Sequence, residues 1–339
     1  MRIFIKKFLK GSSIKTSPII INRAMHPKIF LSIVVLLSAT SCGNKVYYSN
    51  SDGSQINKPL SSLIKWRLQR DPPEPKRLVV SSEWKQLSQS DNRYAIWIGH
   101  STFLINNGDL QILTDPIFAD RASPLSWIGP RRLVPPAMRL DEISEVDVVT
   151  ISHNHYDHLD ISSLVSLQKS NPTCLVLVPK GDKQLLDTVG IKNVVEFDWW
   201  DSIKVDNTIF FFTPAHHWSA RGLTDRNLSH WGGWYVQTPE MSLYHVGDSG
   251  YSADFREVRK RLGSPKYAFI PIGAYAPRWF MKAGHVDPAE ALQIAVDVGA
   301  KYSFAMHWGT FSLGDEPIFE PFRELQQVRA DRGYPGNFF

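Results

Sequence analysis

The chain has 339 residues, of which 43% are hydrophobic and 21% are charged. This composition excludes a disordered, collagen-like or disulfide-stapled protein, and the length allows a large buried core. The formal net charge of +5 is local in origin. Seven of the 38 Lys and Arg residues lie in residues 1–41, where no Asp or Glu occurs, which leaves 31 basic against 33 acidic residues in the rest. The body of the chain therefore gives no electrostatic reason to expect a nucleic acid as partner.

Residues 1–41 have the features of a secretory leader. Nine of the eleven residues in 29–39 are apolar, a lysine precedes them and small residues follow. This stretch is too short to span a bilayer as a mature helix, although an ordinary anchor or a buried helix is the alternative. The sequence ATSC resembles a bacterial lipoprotein cleavage box with Ala in place of the usual Leu. We therefore expect a lipidated Cys42 at the mature N-terminus, and Met25 is a second candidate start.

A lipidated Cys42 predicts a membrane-anchored lipoprotein of the bacterial cell envelope, on the periplasmic side or at the outer membrane. Without processing of the leader, the protein would remain in the cytoplasm. Residues 42–75 are rich in Ser, Asn, Pro and charged residues and are interpreted as a tether. A single folded domain is expected over residues 76–339. Cys174 would be its lone thiol, so no internal disulfide is expected.

Short β-rich runs separated by Gly, Asn and Pro begin at Tyr94. The runs YAIWIG, STFLI and LQILTDP predict an antiparallel meander, and the nearly continuous apolar run at 145–152 predicts a buried strand. The segment LDISSLVSLQ predicts a helix, and a later helix is expected to begin at Pro288 with Asp287 as its N-cap. Many strands and few helices over about 250 residues predict two sheets packed face to face with helices outside.

The segment ISHNHYDHLD, directly after the buried strand, places three histidines and one aspartate within six residues. These are His153, His155, Asp157 and His158. Imidazole nitrogens and carboxylate oxygens at this spacing are ligands for divalent metals, and a solvated polar loop is the weaker alternative. One loop cannot complete two coordination shells. His217, Asp248 and His307 each follow an apolar β-type run, which predicts that they lie at the rim of a sheet, where functional groups collect.

The part of the chain from about Tyr94 to Phe311 resembles the metallo-β-lactamase superfamily. More narrowly, it resembles the N-acyl-phosphatidylethanolamine-hydrolysing phospholipase D family. The segments that carry this resemblance are WIGHSTFLI, LTDPIF, SHNHYDHLD, PAHHWSARG, WGGWYV, VGDSGY, PIGAYAPRWFMKAGHVDPAEA and HWGTF. The resemblance implies an α/β fold, the αββα sandwich of two mixed sheets with helices outside, and a binuclear site along one edge. His216 departs from the mammalian relatives, which carry an amide there.

The resemblance also implies a ligand set for two zinc ions or another pair of divalent metals. His153, His155 and His217 would hold one ion, and Asp157, His158 and His307 would hold the other. Asp248 would bridge both ions. His217 is preferred to His216 because the family's ligand directly precedes the Trp of this segment. His100 is expected to be buried and hydrogen-bonded, with a contact to a metal ligand as the alternative.

The activity implied by the resemblance is hydrolysis of an N-acyl-phosphatidylethanolamine-like lipid to phosphatidic acid and N-acylethanolamine. A hydroxide shared by the two metals would attack phosphorus, so Asp157 and Asp248 belong to the catalytic centre. Arg221 and His285 would stabilise charge on the phosphoryl oxygens, with His285 also protonating the leaving oxygen. Arg278 and Lys282 are further candidates, and a solvated surface position is the alternative for each basic side chain.

Two other functions are compatible with the same motifs. The first is a related metallo-β-lactamase-fold hydrolase, such as a sugar-phosphate lactonase, which would lack the long PIGAY-to-DPAEA segment. The second is a non-catalytic lipid- or metal-binding lipoprotein, against which the complete ligand set argues. A phospholipid or other phosphodiester substrate and the membrane surface are the expected partners, and some of the 11 tryptophans are expected at a lipid interface. The sequence leaves the oligomeric state undetermined.

Overall fold

The strands form two seven-stranded sheets in the computed structural model, which describes residues 2–3, 45–70, 80–88 and 93–339. The strands of the first sheet are β1 Arg2–Ile3, β2 Tyr94–Gly99, β3 Thr102–Asn106, β4 Gln111–Thr114, β5 Val148–Thr150, β6 Leu175–Pro179 and β7 Val194–Phe197. They lie side by side in chain order. Strands β2 to β4 form the predicted antiparallel meander, and β4 to β7 run parallel.

The second sheet repeats this change from antiparallel to parallel pairing. Its strands are β8 Ser202–Val205, β9 Thr208–Thr213, β10 Gly233–Gln237, β11 Ser242–His245, β12 Tyr267–Pro271, β13 Tyr302–Met306 and β14 Asn337–Phe338. Strands β8 to β11 are antiparallel, whereas β11 to β14 are parallel. Both sheets are therefore mixed, as the sequence predicts.

The helices join the strands and flank the sheets. They are α1 Leu60–Gln69, α2 Trp84–Leu87, α3 Ile161–Ser170, α4 Lys183–Thr188, α5 Asp254–Leu262, α6 Arg278–Met281, α7 Pro288–Val298 and α8 Glu320–Asp331, with a 3₁₀ turn at Leu140–Glu142. The Asp287 side chain accepts a hydrogen bond from the Glu290 N–H at 2.8 Å, and Glu290 reaches back to the Asp287 N–H. The predicted N-cap of α7 is thus part of a capping box.

The core lies between the two sheets because successive strand residues face opposite sides. On β3, Phe103 points to the second sheet, where its ring centroid is 4.3 Å from that of Phe269. Its neighbour Leu104 belongs to the cluster on the other face of the sheet, together with Leu164 of α3. A sheet covered on both faces needs the nearly continuous apolar strands seen in the sequence. The predicted fold, two mixed sheets face to face with helices outside, is confirmed.

The N-terminal segment of the domain, residues 47–70, packs against the rest of the chain. Ile56 and Trp66 are buried, and the Trp66 indole donates a hydrogen bond to the Asp315 carboxylate at 2.8 Å. This segment forms one compact unit with the following residues. The predicted domain boundary at 76, with a tether over 42–75, is therefore wrong for residues 47–70. A few buried apolar side chains are enough to hold a segment whose overall composition is polar.

The predicted apolar leader and Cys42 lie outside the described residues. Within the described ranges, none of the helices combines the length and apolar character needed to cross a bilayer.

Candidate metal centre

The parallel strands deliver polar side chains to one edge of the two sheets. The loop 153–158 follows the carboxyl end of β5, and His217 follows that of β9. Asp248 and His307 follow β11 and β13 in the same way. Loops at these ends meet because neighbouring strands end at the same edge. The structure therefore brings all seven sequence-predicted metal ligands into one buried cluster.

Three imidazoles form the first half of this cluster. His153 Nε2 is 2.8 Å from His155 Nδ1, and His217 Nε2 is 3.3 Å from the same Nδ1 atom. His217 Nδ1–H donates to the Gly284 carbonyl at 2.9 Å, which leaves its Nε2 lone pair facing the other two rings. Three imidazole nitrogens at this separation form a group that could hold one cation.

The second half contains two carboxylates. Asp157 Oδ2 is 3.3 Å from His158 Nε2 and 3.2 Å from His307 Nε2. Asp248 Oδ2 is 3.3 Å from His158 Nε2 and 3.0 Å from His307 Nε2. The same Asp248 oxygen is 3.9 Å from the Nε2 atoms of both His153 and His217. It thus lies between the two halves, where a bridging ligand would lie.

The two carboxylates of this cluster share their charges with the neighbouring imidazoles. Burial opposes ionisation of Asp248, yet His307 and His158 hold the pKa of its carboxyl well below the usual range. Burial likewise opposes a charge on His307, but the Asp248 and Asp157 carboxylates raise its pKa to about 9. Asp248 Oδ1 and His158 Nε2 have no hydrogen-bond partner among the described residues. Buried carboxylates that draw protons onto imidazoles, with donor atoms free, fit a divalent cation in place of those protons.

Asp115, a buried carboxylate outside the predicted ligand set, forms hydrogen bonds that fix the loop 153–158, called the metal loop below. Asp115 Oδ2 accepts hydrogen bonds from His158 Nδ1 at 2.8 Å and from the Ser152 hydroxyl at 2.6 Å. The Ser152 oxygen in turn lies 3.0 Å from His153 Nδ1. These contacts fix the tautomers that point both Nε2 atoms at the cluster. The available signal was the LTDP motif, whose aspartate also follows a strand.

His100 also contacts the cluster. It is buried, as predicted, and its Nε2 lies 2.8 Å from Asp157 Oδ2, so the alternative contact to a metal ligand is present as well. His245 faces away and donates to the Ser101 carbonyl at 3.0 Å. His216 lies outside the cluster, with Nδ1 2.9 Å from the Ala283 carbonyl oxygen. The choice of His217 over His216 therefore agrees with the structure.

His285 lies at the rim of the cluster, where the sequence predicts a catalytic group. Its Nδ1 is 3.7 Å from Asp248 Oδ2, and its side chain retains 15% exposure. Burial lowers the pKa of His285 to about 3 against the pull of Asp248. The imidazole is therefore neutral and carries one N–H, which can donate a hydrogen bond to an oxygen held at the cluster.

Arg221 does not face the cluster, which corrects its predicted catalytic role. Its guanidinium donates to the carbonyl oxygens of Asn154 and Leu159 at 2.8 and 2.7 Å. It also stacks on the Tyr156 ring at 4.0 Å, and the Tyr156 hydroxyl donates to the Arg221 carbonyl. Both guanidinium hydrogen bonds come from Nη1, which carries two N–H donors, one for each carbonyl oxygen. Arg221 is therefore a positioning residue for the metal loop.

Arg278 is engaged in a similar way. It donates to the His285 carbonyl at 2.7 Å and to the Glu290 carboxylate at 2.6 Å. It thereby fixes the segment that carries His285, and its charge is neutralised by an acidic partner. Lys282 is exposed beyond α6. Neither residue takes the predicted place beside the reacting oxygens.

The N-terminal segment supplies a contact that sequence reasoning missed entirely. The Asn50 side-chain oxygen accepts hydrogen bonds from the His217 backbone N–H at 3.0 Å and from the Trp231 indole at 3.1 Å. No motif surrounds Asn50, so its role follows only from the fold. Together with Gly284, it fixes His217 from two sides.

Residues 111–308 match the family model described as the beta-lactamase superfamily domain. The chain is 38% identical over 252 residues to N-acyl-phosphatidylethanolamine-hydrolyzing phospholipase D 1 of Caenorhabditis elegans, covering 70% of this chain and 71% of that protein. It is also 38% identical to the mitochondrial N-acyl-phosphatidylethanolamine-hydrolyzing phospholipase D of Saccharomyces cerevisiae, covering 71% of this chain but only 53% of the yeast protein.

Among solved structures, a possible metal-dependent hydrolase from Veillonella parvula has the same fold. The TM-score is 0.60 at 17% identity, and the match covers 73% of this chain and 95% of the other. The buried His and Asp cluster occupies the edge at which the motifs of this family lie. The chain therefore belongs to the metallo-β-lactamase superfamily of metal-dependent hydrolases, within the family of N-acyl-phosphatidylethanolamine-hydrolysing phospholipase D proteins.

Proposed function

We propose that the chain is a phospholipase D-type phosphodiesterase that hydrolyses N-acyl-phosphatidylethanolamine-like lipids to phosphatidic acid and an N-acylethanolamine. The observation that carries this proposal is the convergence of the seven predicted His and Asp ligands in a chain 38% identical to relatives with that name. A retained fold without catalysis would not require every ligand to be kept.

The donor set suits two divalent ions, which we propose to be zinc. His153, His155 and His217 would hold one, Asp157, His158 and His307 the other, and Asp248 both. When bound, the ions would activate a water molecule for attack on phosphorus and polarise a phosphoryl oxygen. The new P–O bond forms from water, and the bond to the ethanolamine oxygen breaks.

The remaining residues of the centre orient this reaction. Asp115 and Ser152 keep the imidazoles of His153 and His158 in the tautomer that presents Nε2. His285 lies beside Asp248 at the rim, and we propose that its N–H donates to the phosphoryl or leaving oxygen as negative charge develops. Arg221 holds the loop 154–159 in place through backbone carbonyls.

We further propose that the enzyme works at a membrane surface, held there by lipidated Cys42 in the bacterial cell envelope. The exposed face of α1 supports this: Leu60, Ile64 and Leu68 recur one helical turn apart, with exposed fractions of 70%, 50% and 82%. Trp279, 53% exposed, lies next to this helix, with Lys65 Nζ 4.9 Å from the centre of its ring. Apolar side chains flanked by lysine and tryptophan are typical of helices that lie in a lipid interface.

The test is turnover of the purified, zinc-loaded full chain on N-acyl-phosphatidylethanolamine, phosphatidylethanolamine and a sugar-phosphate lactone in mixed micelles. We expect N-acylethanolamine release from the first lipid, with loss of activity in His217→Ala. His216→Asn is the matched control, since it changes the adjacent histidine outside the cluster, and it should retain turnover. Hydrolysis of the lactone alone, or of none of the three, would overturn the proposal.

The anchor is tested separately by Cys42→Ala expressed in a bacterium. We expect this variant to leave the membrane fraction, whereas unchanged partitioning would contradict lipidation.

A further inference from the structure

Lys58 and Arg226 are two half-buried cations near the metal centre that lack an acidic partner among the described residues. Lys58 Nζ lies over the Phe280 ring, 4.1 Å from its centroid. Arg226 Cζ lies over the Trp218 ring, 4.0 Å from its centroid. Aromatic faces compensate a cation only in part. A positive charge taken partly out of water without a carboxylate is costly, unless a ligand supplies the negative charge.

Lys58 belongs to the N-terminal segment, residues 47–70, which contacts the metal centre. Asn50 binds the backbone of His217, and the Ile56 side chain lies against Gly284, whose carbonyl accepts from the same histidine. Lys58 follows directly. The segment is therefore held against His217 and Gly284, and its Lys58 lies over Phe280, five residues before His285.

Arg226 is linked to a different histidine of the cluster through the Trp218 ring. The Trp218 ring beneath it lies 4.3 Å from the His155 ring, measured between centroids. Burial and, after it, the nearby Arg226 charge lower the pKa of Lys58 to about 8. The two cations are thus close enough for each charge to act on the other.

We propose that Lys58 and Arg226 form an anion subsite that binds the phosphate oxygens of the substrate at the mouth of the metal centre. This inference rests on the proposed function. Arg221 Nη1 donates to two backbone carbonyl oxygens behind the loop 153–158, and Arg278 donates to the His285 carbonyl and to Glu290. Lys58 and Arg226 retain free donors. The subsite would favour anionic phosphodiesters over neutral esters of similar size.

The first experiment compares kcat/KM on two substrates, anionic bis(p-nitrophenyl) phosphate and neutral p-nitrophenyl acetate. We expect Lys58→Met and Arg226→Met each to lose about 10- to 100-fold on the diester, as for removal of a hydrogen bond to a charged group. The loss should fall mainly on KM, the neutral ester should be unaffected, and Lys58→Arg should restore most of the loss. Lys85→Met is the matched control, because it removes an exposed lysine that also lies over an aromatic ring, that of Trp84. Equal losses on both substrates, or none in either variant, would overturn the inference.

The second experiment does not depend on turnover. Isothermal titration of the zinc-loaded protein with inorganic phosphate should show binding weakened about 10- to 100-fold in Lys58→Met and unchanged in Lys85→Met, at equal zinc content. Weakened phosphate binding in a protein that hydrolyses none of the diesters would leave the subsite standing and refute the proposed function. If Lys58→Met hydrolyses the diester with the same phosphate affinity and KM as the native protein, the subsite is refuted and the proposed function remains. N-acyl-phosphatidylethanolamine in micelles then distinguishes a lipid phosphate from the free ion: a larger KM increase for the lipid than for bis(p-nitrophenyl) phosphate assigns the subsite to the headgroup, and equal increases assign it to phosphate in general.

Discussion

The Asp115→Asn substitution tests how the metal centre is held. Asn keeps the volume of the buried side chain and can still accept from the Ser152 backbone N–H, which lies 2.7 Å from Oδ1 in the native protein. Its amide group, however, would face the Ser152 hydroxyl and His158 Nδ1, which lie 2.6 and 2.8 Å from the native Oδ2. A donor would then meet a donor at His158. The ring must change tautomer, which puts a proton on Nε2, or rotate, which moves Nε2 away, and either change removes the Nε2 lone pair from the cluster.

The magnitude follows from the hydrogen bond between Asp115 and His158. A hydrogen bond to a buried charged group contributes about 1.5–3 kcal/mol to the free energy of unfolding, and Asp115 and His158 are both fully buried. Loss of such a partner behind a metal-bound histidine lowers metal affinity about 10- to 100-fold. We expect both effects in Asp115→Asn, measured by zinc competition with a chelator and by urea unfolding of the apo and zinc-loaded protein.

The matched control is Asp147→Asn, which changes a carboxylate on the same sheet. Asp147 is exposed and accepts from the Gln111 N–H at 2.7 Å, without contacting the metal loop. Its zinc affinity should equal that of the native protein. If Asp115→Asn lowers stability without lowering zinc affinity relative to this control, the carboxylate supports the fold alone and the tautomer argument is refuted.

Three further outcomes are expected. Asp248→Ala should abolish hydrolysis while leaving the fold largely intact, and turnover at full metal occupancy would contradict its bridging role. The ammonium of Lys58 is present below its pKa of about 8 and lost above it, so KM for a phosphodiester should rise through that pH in the native protein but not in Lys58→Arg. Ile64→Glu combined with Leu68→Glu should weaken sedimentation with anionic vesicles at unchanged kcat on a soluble diester, whereas unchanged vesicle binding would remove the lipid-surface interpretation of α1.

The fold could be predicted because each level of the sequence points to the same arrangement. The meander from Tyr94 has the turn residues and alternation of antiparallel strands, and the run before His153 has the continuous apolar character of a doubly covered strand. The candidate ligands could be predicted as a group for the same reason. They follow strands of the two sheets whose carboxyl ends lie at the same edge.

The direction of a basic side chain could not be predicted in this way. Arg221 and Arg278 lie in the family motifs, which identify their positions but not their partners. The structure engages them with backbone carbonyls and with Glu290, because a tight loop exposes oxygen atoms that only a nearby multiple donor can satisfy. A motif thus marks a residue as part of a site without distinguishing a group that holds the loop from one that meets the substrate.

The packing of the N-terminal segment, residues 47–70, could not be predicted from its sequence either. Its composition resembles a linker, yet Asn50, Ile56 and Trp66 pin it to the domain at three points, of which the first two adjoin His217. A local sequence pattern cannot indicate contacts between residues more than 150 positions apart, such as Asn50 and His217. The segment lies outside the matched family domain at 111–308, so it can differ among proteins that share the metal ligands. Lys58 belongs to this segment, so the positive charge beside the metal centre can change while the metal ligands stay the same. We expect such a change to alter the discrimination between anionic and neutral substrates.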